Sequence, residues 1–315
     1  MKVAILGTWH VHAPQYTDSA QRLGEVVGVY EENAAWRAEF AKSFNIPEFS
    51  SVEELLRSDC QGVIVCAATN KHTEYIIAAA NAGKHIFTEK VLALTVEDCL
   101  KIKDAIEKNG VRFVISYPWK CIPAFMALKN AVDEGLVGKV NYLRFRNCHS
   151  GSINHWLPAH FYNAEECGGG AMIDLGAHGM YLTHWILGEP QSYSSSFTHF
   201  CRDEKDAELN PSALEDNAVT VMTFESGAIA VNETGFVSHG CPETLEIGGD
   251  KGYLTATRAG ATFTDAARVS RQIDLPEASK SPLECFLTDT PIDGCGIEDA
   301  IILTKMMVGA YGNVK

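Results

Sequence analysis

Asp174 and His178 are the residues of this sequence best spaced to move a proton. They lie four residues apart in a segment from Gly168 to Leu187 whose apolar residues recur at helical spacing. Side chains at i and i+4 leave a helix on the same face, and a carboxylate beside an imidazole suits general acid–base chemistry near neutral pH. An isolated pair at this spacing also fits a polar contact on a solvated helix, or a buried pair that is hydrogen-bonded to backbone.

The N-terminal part of the chain alternates strand and helix patterns. Apolar runs of strand length cover residues 2–6, 25–30, 62–66, 84–88 and 112–116. We interpret the pattern as six βα-type segments within residues 1–116, which is typical of a doubly wound parallel sheet. Ligands of such sheets bind beyond the carboxyl ends of the strands, so polar residues at these ends are candidate ligand contacts.

Strand-end residues suit a dinucleotide. Glu31 follows the second run, where an acid accepts hydrogen bonds from an adenosine ribose and repels a 2′-phosphate, so NAD is favoured over NADP. An exposed acid at a helix start explains Glu31 equally well. Asn70, His72, Glu89 and Lys90 follow the third and fourth runs.

The first turn, Gly7-Thr8-Trp9-His10-Val11-His12, keeps only one glycine of the G-x-G-x-x-G fingerprint. The following helix N-terminus still offers free N–H groups to a pyrophosphate. Trp9 fits either a packed aromatic or a ring stacked on the cofactor. His10 and His12 have the spacing of a metal-ligand pair, but no later strand end supplies the extra His and Asp set of a metal-dependent hydrolase, so no metal is expected.

Beyond Ser116 the pattern changes to strands that follow one another with few helices. A helix over about 123–134 and a strand over 139–146 precede the Asp174 segment, and later strands cover residues 191–200, 217–224, 228–234, 243–247 and 252–257. This order predicts a mostly antiparallel open sheet with helices. We expect a nucleotide-binding domain over residues 1–118 and a substrate-binding and oligomerisation domain over 119–315, with a last helix over 297–311 as a candidate to pack back on the first domain.

Composition limits the partners. The formal net charge of −14 argues against nucleic acid and anionic membranes, which attract clustered Lys and Arg. No apolar run reaches the ~20 residues that span a bilayer, and residues 1–7 fit a strand better than a signal peptide. The ten cysteines are dispersed without a C-x-x-C pair. We therefore expect a cytoplasmic protein that forms a homodimer or homotetramer through its open sheet.

Motifs at matching spacing run through nearly the whole chain. Ala68-Thr69-Asn70 with His72 resembles T-P-N-x-x-H, residues 83–90 resemble G-K-H-V-x-x-E-K-P, and Gly168-Gly169-Gly170 with Asp174, Gly176 and His178 resembles G-G-G-x-x-x-D-x-G-x-H. These are motifs of the Gfo/Idh/MocA family, the glucose-fructose oxidoreductase and inositol dehydrogenase relatives. Residues 215–218 and 248–252 resemble the family's landmarks in the sheet region.

The resemblance implies an N-terminal Rossmann domain and hydride transfer between NAD(H) and a secondary hydroxyl of a sugar, inositol or related polyol. It implies Lys90, Asp174 and His178 as the catalytic residues. We assign His178 as general base, Asp174 as the group that orients it, and Lys90 as hydrogen-bond donor to the substrate oxygen and cofactor ribose. Lys90 is the proton acceptor instead if burial and the oxidised nicotinamide depress its pKa.

Two further sets of contacts complete the site hypothesis. The expected substrate contacts are Lys120, His155, Trp156, Asp174 and His178. The expected cofactor contacts are Gly7, Thr8, Trp9, His10, Val11, His12, Glu31, Ala68, Thr69, Asn70, His72, Glu89 and Lys90.

The chain departs from the family pattern at Val91, which replaces a proline, and at the glycine-poor first turn. Two other functions therefore stay open. One is an NAD-dependent lyase or glycosidase that uses transient oxidation, and the other is a non-catalytic protein that senses a dinucleotide or another ligand.

Overall fold

In the computed structural model, which describes residues 1–314, the chain forms two units. The first contains residues 1–116 and 280–304, and the second contains residues 117–279 and those that follow 304. The C-terminal segment thus contributes to both units. Every helix within residues 1–314 is too short or too polar to cross a bilayer.

The first unit is built on short apolar strands whose side chains are covered on both faces, as in parallel sheets. Its elements up to residue 116 are β1 (Lys2–Leu6), α1 (Ala13–Leu23), β2 (Glu25–Tyr30), α2 (Ala34–Phe44), α3 (Val52–Arg57), β3 (Gly62–Val65), α4 (His72–Asn81), β4 (His85–Thr88), α5 (Val96–Asn109) and β5 (Phe113–Ile115). All strands pair in parallel in the order β2-β1-β3-β4-β5. The predicted parallel sheet is confirmed.

The predicted count of six strand–helix segments is wrong, because this sheet has five strands. Between β2 and β3 the chain forms two helices. The second, α3, begins at Ser51, whose side chain accepts a hydrogen bond from the N–H of Glu54, and carries Glu53 and Glu54 in its first turn. A serine cap and early acids favour a short helix at this point.

The second unit contains a larger sheet. The remaining elements are α6 (Pro123–Asp133), β6 (Val140–Cys148), α7 (Ala164–Cys167), α8 (Ala171–Asp174), α9 (Gly176–Leu187), β7 (Ser192–Thr198), α10 (Glu204–Leu209), β8 (Asn217–Thr223), β9 (Ile229–Gly235), β10 (Thr244–Gly249), β11 (Gly252–Thr257), β12 (Gly260–Asp265), β13 (Ser270–Gln272), and then α11 (Pro282–Leu287) and α12 (Ile297–Tyr311).

This sheet has eight strands in the order β13-β12-β11-β10-β6-β9-β8-β7, and β6–β9 is its parallel pair within a mostly antiparallel arrangement. One face is apolar and carries Leu143 and Phe145, which are fully buried, while α8 and α9 pack against strands of this sheet. The other face carries an ion-pair network in which Glu233 accepts from Arg144 and Arg146. The predicted open sheet with helices is confirmed, and β12 and β13 extend it beyond the predicted strands.

Glu215 fixes the start of α8. Its Oε1 accepts hydrogen bonds from the backbone N–H groups of Gly170 at 2.9 Å and Met172 at 3.1 Å, and from the Tyr311 hydroxyl at 2.5 Å. A side chain on Gly170 would overlap the carbonyl oxygen of Glu215. Burial raises the pKa of the Glu215 carboxyl, an effect that these donors partly offset. One buried carboxylate therefore holds the helix that carries Asp174.

We expect Glu215→Ala to lower the free energy of unfolding by about 3 kcal/mol, because two backbone N–H groups and a phenol lose their acceptor in a buried site. Glu215→Gln keeps an oxygen at the same place and is the matched control, with a smaller loss. Thermal or urea unfolding of both variants measures the difference. Equal losses would show that the acceptor at Glu215 does not hold α8.

The same pair of proteins gives a pH prediction. The pKa of Glu215 is higher folded than unfolded, so its contribution to stability is fully present below the ordinary carboxyl pKa and is lost as pH rises through the folded value. Glutamine does not titrate. The melting temperature of Glu215→Gln should therefore gain on that of the wild type as pH rises from about 4 to about 8. A constant difference would contradict the raised pKa.

Candidate active site

The loop after β1 needs a glycine at one position. Gly7 has φ of 86°, and a side chain there would overlap Ala67, which follows β3. The loop is then fixed by backbone hydrogen bonds, among them the N–H of His10 to the carbonyl of Cys66 at 2.9 Å. The positions of the two missing fingerprint glycines hold Trp9, which is buried, and His12, which is half-buried. The backbone of this loop therefore tolerates side chains where the fingerprint has glycines.

Glu31 lies at the end of β2 beside this loop. Its carboxylate accepts hydrogen bonds from the N–H of Thr8 at 2.7 Å, the Thr8 hydroxyl at 3.2 Å and the N–H of Asn33 at 3.0 Å. An ionised carboxylate has about four acceptor positions, so capacity for a ribose hydroxyl remains. Glu31 is buried, which argues against the exposed acid considered from the sequence.

A polar cluster occupies the carboxyl ends of β1 and β4. Nδ1 of His12 lies 2.9 Å from Oε1 of Glu89, and Nδ1 of His10 lies 3.8 Å from the same oxygen. The Tyr16 hydroxyl donates a short hydrogen bond to that oxygen and lies 2.7 Å from Oγ of Ser116. Burial raises the pKa of Glu89, but His10, His12 and Lys90 together hold it well below its usual range. His10, His12, Glu89 and Lys90 are among the predicted cofactor contacts, but their grouping, and the parts played by Tyr16 and Ser116, were not predicted.

Part of the segment after β3 makes hydrogen bonds that hold the protein's own loops together. Ala68 and Thr69 are buried, and Asn70 is exposed in a short 3-10 turn, Thr69–Lys71. His72 is fully buried, and its two ring nitrogens lie 3.0 to 3.2 Å from the carbonyl oxygens of residues 67, 91 and 92. Burial lowers the pKa of His72. Its ring thus ties the loops after β3 and β4 together, a structural task that the sequence did not indicate.

Of the other expected cofactor contacts, Val11 is exposed and Lys90 is buried. Lys90 follows Glu89, whose Oε2 accepts the backbone N–H of Lys90 at 3.1 Å. The peptide bond that joins Lys90 to Val91 is cis.

The segment of the second unit that contains Asp174 and His178 is not one helix. Gly168, with φ of 79°, ends α7, and Leu175 separates α8 from α9. The helix expected after the three glycines is therefore interrupted at Leu175, whose backbone is itself in the right-handed helical region. Asp174 ends α8, whereas His178 lies in the first turn of α9.

His178 is buried and held by Tyr181. Its Nδ1 lies 2.9 Å from the Tyr181 hydroxyl oxygen, which also accepts the backbone N–H of Trp119 at 3.2 Å. When Nδ1–H donates to this oxygen, Nε2 carries the lone pair that a general base needs. The sequence showed Tyr181 only as an apolar helix position, although its spacing of three residues from His178 was an available signal.

The charge of Asp174 influences the pKa of His149, a residue that the sequence did not indicate as functional. Burial lowers the pKa of His149, and the negative charge of Asp174 partly offsets this effect. The His149 ring stacks on Phe236 with centroids 4.8 Å apart and lies 4.7 Å from the Trp156 ring. Its Nδ1 accepts the N–H of Gly151 at 3.0 Å. The second unit therefore places a histidine between Asp174 and one of the expected substrate contacts.

The expected substrate contacts differ in their surroundings. Trp156 is 53% exposed, so most of its ring is open to a ligand. Lys120 is buried, with its ammonium 5.3 Å from the Tyr117 ring centroid and 5.8 Å from that of Trp185. Nε2 of His155 lies 3.2 Å from an oxygen of Asp203.

Comparison with known proteins covers both parts of the chain. Residues 1–117 match the model of an oxidoreductase family with an NAD-binding Rossmann fold, and residues 125–255 match the GFO/IDH/MocA C-terminal domain. The chain is 28% identical over 284 residues to the 1,5-anhydro-D-fructose reductase of Ensifer adhaerens, covering 87% of this chain and 82% of the relative.

Two further similarities agree with this match. The chain is 30% identical over 201 residues to the myo-inositol 2-dehydrogenase of Thermotoga maritima, covering 64% of this chain and 57% of the relative. A levoglucosan dehydrogenase solved with NADH and levoglucosan has a TM-score of 0.83 at 18% identity, over 99% of this chain and 96% of that one. That last likeness supports the fold.

The two domain matches confirm the resemblance seen in the motifs, and they identify the first unit's sheet as an NAD-binding Rossmann fold. The chain belongs to the Gfo/Idh/MocA family of NAD-binding oxidoreductases.

Proposed function

We propose that this protein is an NAD(H)-dependent dehydrogenase that transfers a hydride between the nicotinamide and a secondary hydroxyl of a sugar, inositol or related polyol. The observation that carries the proposal is the buried imidazole of His178 with its Nδ1 engaged by Tyr181. A polar pair on a solvated helix surface would not need a buried hydrogen-bond partner such as Tyr181. The names of the relatives, a sugar reductase and an inositol dehydrogenase, support the substrate class.

Oxidation of a secondary alcohol removes a hydride from carbon and a proton from oxygen. Bound NAD⁺ supplies the hydride acceptor. We assign His178 as the group that accepts the proton at Nε2, with Tyr181 holding the ring at Nδ1. Lys90 donates a hydrogen bond to the substrate oxygen and cofactor ribose, and it is the alternative proton acceptor. Asp174 supports the charge that develops on the histidines of its unit.

The cofactor contacts are assigned to the loop of residues 7–12, Glu31, residues 68–70, Glu89 and Lys90. Glu31 is the residue expected to select NAD, because a buried carboxylate repels the 2′-phosphate of NADP. Substrate contacts are assigned to Lys120, Trp156 and His149, the last added because it contacts Trp156. His155, which pairs with Asp203, is the weaker assignment in that set.

We further propose a homodimer or homotetramer assembled through the face of the eight-stranded sheet that carries the ion pairs of Glu233. We also propose a cytoplasmic location. Exposed Val219 and Ile229 on neighbouring strands of that sheet support an association surface. The ten cysteines are free thiols, as is typical of a reducing compartment. Light scattering of the purified protein tests the assembly.

His178→Ala should lower kcat by about 100-fold or more, because general acid–base catalysis by a positioned group contributes about that much. NAD⁺ affinity, measured by calorimetry, should not change, since the nucleotide-binding residues lie in the other unit. Turnover is followed by NADH absorbance over a panel of sugars and inositols. Full turnover of His178→Ala would remove this residue from the mechanism.

Substrate conversion by the wild type without net NADH formation would instead favour the transient-oxidation lyase or glycosidase.

Tyr181→Phe should lower kcat about tenfold and shift the acidic limb of the pH profile for alcohol oxidation, because the ring of the general base His178 loses the group that fixes its tautomer. The stacking of residue 181 on Tyr117 is retained by phenylalanine, which limits the structural change. Tyr253→Phe is the control, since its hydroxyl bonds to Glu246 elsewhere on the sheet. An unchanged pH profile in Tyr181→Phe would contradict the positioning role.

Glu31→Gln should strengthen NADP⁺ binding about tenfold relative to NAD⁺ binding, because it removes the negative charge that repels a 2′-phosphate. Its single amide oxygen can keep one of the two acceptors that serve Thr8 and Asn33. Calorimetric titration of both nucleotides measures the ratio. Glu32→Gln is the control, because Glu32 is exposed and pairs with Lys71. The same change of ratio in both variants would show that general charge, and not the ribose contact, sets the preference.

A further inference from the structure

The cluster of His10, His12 and Glu89 has the composition of a metal centre. It brings two imidazoles from the loop after β1 to a carboxylate at the end of β4, and one ligand atom from each lies within 4.8 Å of the others. We propose that these three residues bind one divalent transition-metal ion of the zinc class. The proposal goes beyond the dehydrogenase function and does not depend on it.

The donor set suits zinc. Two histidines and one glutamate form an open site that leaves a fourth position for an oxygen ligand. With bonds of about 2.0 to 2.1 Å, ligand atoms around a tetrahedral ion are roughly 3.3 Å apart. Oε1 of Glu89 lies 2.9 Å from Nδ1 of His12 and 3.8 Å from Nδ1 of His10, so shifts below about 1 Å bring this oxygen to that spacing from each histidine nitrogen.

The tautomer of His10 suits a ligand. Its Nδ1 accepts the backbone N–H of His12 at 3.2 Å, which leaves that nitrogen unprotonated with its lone pair in the loop. Metal binding exchanges this long hydrogen bond for a coordinate bond at the same atom. The main chain of His10 is fixed independently, because its N–H donates to Cys66 and its carbonyl accepts from Ala13.

The surroundings of Glu89 match those of a ligand carboxylate. Carboxylates that bind metals are themselves oriented by hydrogen bonds from a second layer of residues. Here the Tyr16 hydroxyl donates to Oε1, the Lys90 backbone N–H donates to Oε2, and Ser116 lies against the Tyr16 hydroxyl. Tyr16, Ser116 and Glu89 are all buried, and the Tyr16 hydroxyl also lies 3.5 Å from Nδ1 of His12.

A second group with metal-ligand composition, His199, Asp206 and Asp216, is accounted for by its own contacts. The two oxygens of Asp216 each accept a backbone N–H, from Phe200 at 2.7 Å and Cys201 at 2.8 Å. Asp206 lies 2.6 Å from Nε2 of His199. These bonds order the loop before α10. This group therefore serves as an internal control and not as a second proposal.

An ion bound to two neutral imidazoles and one carboxylate gives the site a net positive charge. The loop that carries His10 and His12 is the one that would otherwise approach a pyrophosphate through glycines. We infer that the open coordination position takes an anionic oxygen. The lost fingerprint glycines are then replaced by side chains that bring a cation to the same loop.

The test uses untagged, full-length protein freed of metal with a chelator and titrated with Zn²⁺ by calorimetry in the absence of nucleotide. We expect one ion per chain. Co²⁺ should give a ligand-field spectrum of nitrogen and oxygen coordination without thiolate charge transfer. Failure of the wild type to bind Zn²⁺, or a thiolate band with Co²⁺, would overturn the proposal whatever the dehydrogenase activity is.

Variants then assign the site. His12→Ala and Glu89→Gln should each weaken Zn²⁺ binding at least about 100-fold, and Tyr16→Phe about tenfold, because it removes a hydrogen bond to the ligand carboxylate. His199→Ala should bind as the wild type does. Circular dichroism checks that each variant is folded. Full binding by both His12→Ala and Glu89→Gln, or loss confined to His199→Ala, would place the ion elsewhere.

Discussion

A buried carboxylate must find donors inside the protein, because removing an ionised group from water without compensation costs several kcal/mol or more. Each unit of this protein meets that requirement at the place where its functional residues lie. In the first unit one such carboxylate is Glu89, and in the second one is Glu215. The donors that satisfy Glu215 position the start of α8, and those that satisfy Glu89 include the imidazole of His12.

The two carboxylates differ in the kind of donor that surrounds them. Glu89 faces His10, His12 and Lys90, which can carry positive charge, and its pKa is held well below the usual range. Glu215 faces two backbone N–H groups and a phenol, which are neutral, and burial raises its pKa. The neutral donors around Glu215 orient α8 at moderate electrostatic cost. Side chains that can carry positive charge keep the Glu89 carboxylate ionised, so that it can bind a cation.

Much of the fold could be predicted from local pattern. The bounds of β1, β2 and α12 agree with the predicted segments, because apolar runs and helical spacing are dictated by burial along a single element. The interruption at Leu175 could not be predicted in this way. The contacts of Glu215 and Tyr311 with the start of α8 could not be predicted either, because both residues are distant in sequence and reach α8 only in the folded chain. The same holds for His149, whose relation to Asp174 is tertiary.

The first loop shows what the sequence could and could not tell. A comparison with G-x-G-x-x-G counts two losses, yet the backbone demands a glycine only at Gly7, where Ala67 comes close and φ is positive. The other two positions are open to any side chain that finds partners, and His12 finds Glu89. That partner lies 77 residues further along the chain, at the end of another strand of the parallel sheet. Parallel topology brings such strand ends to one edge, so the substitution of glycine by histidine acquires a chemical meaning only when another strand end at that edge carries an acid.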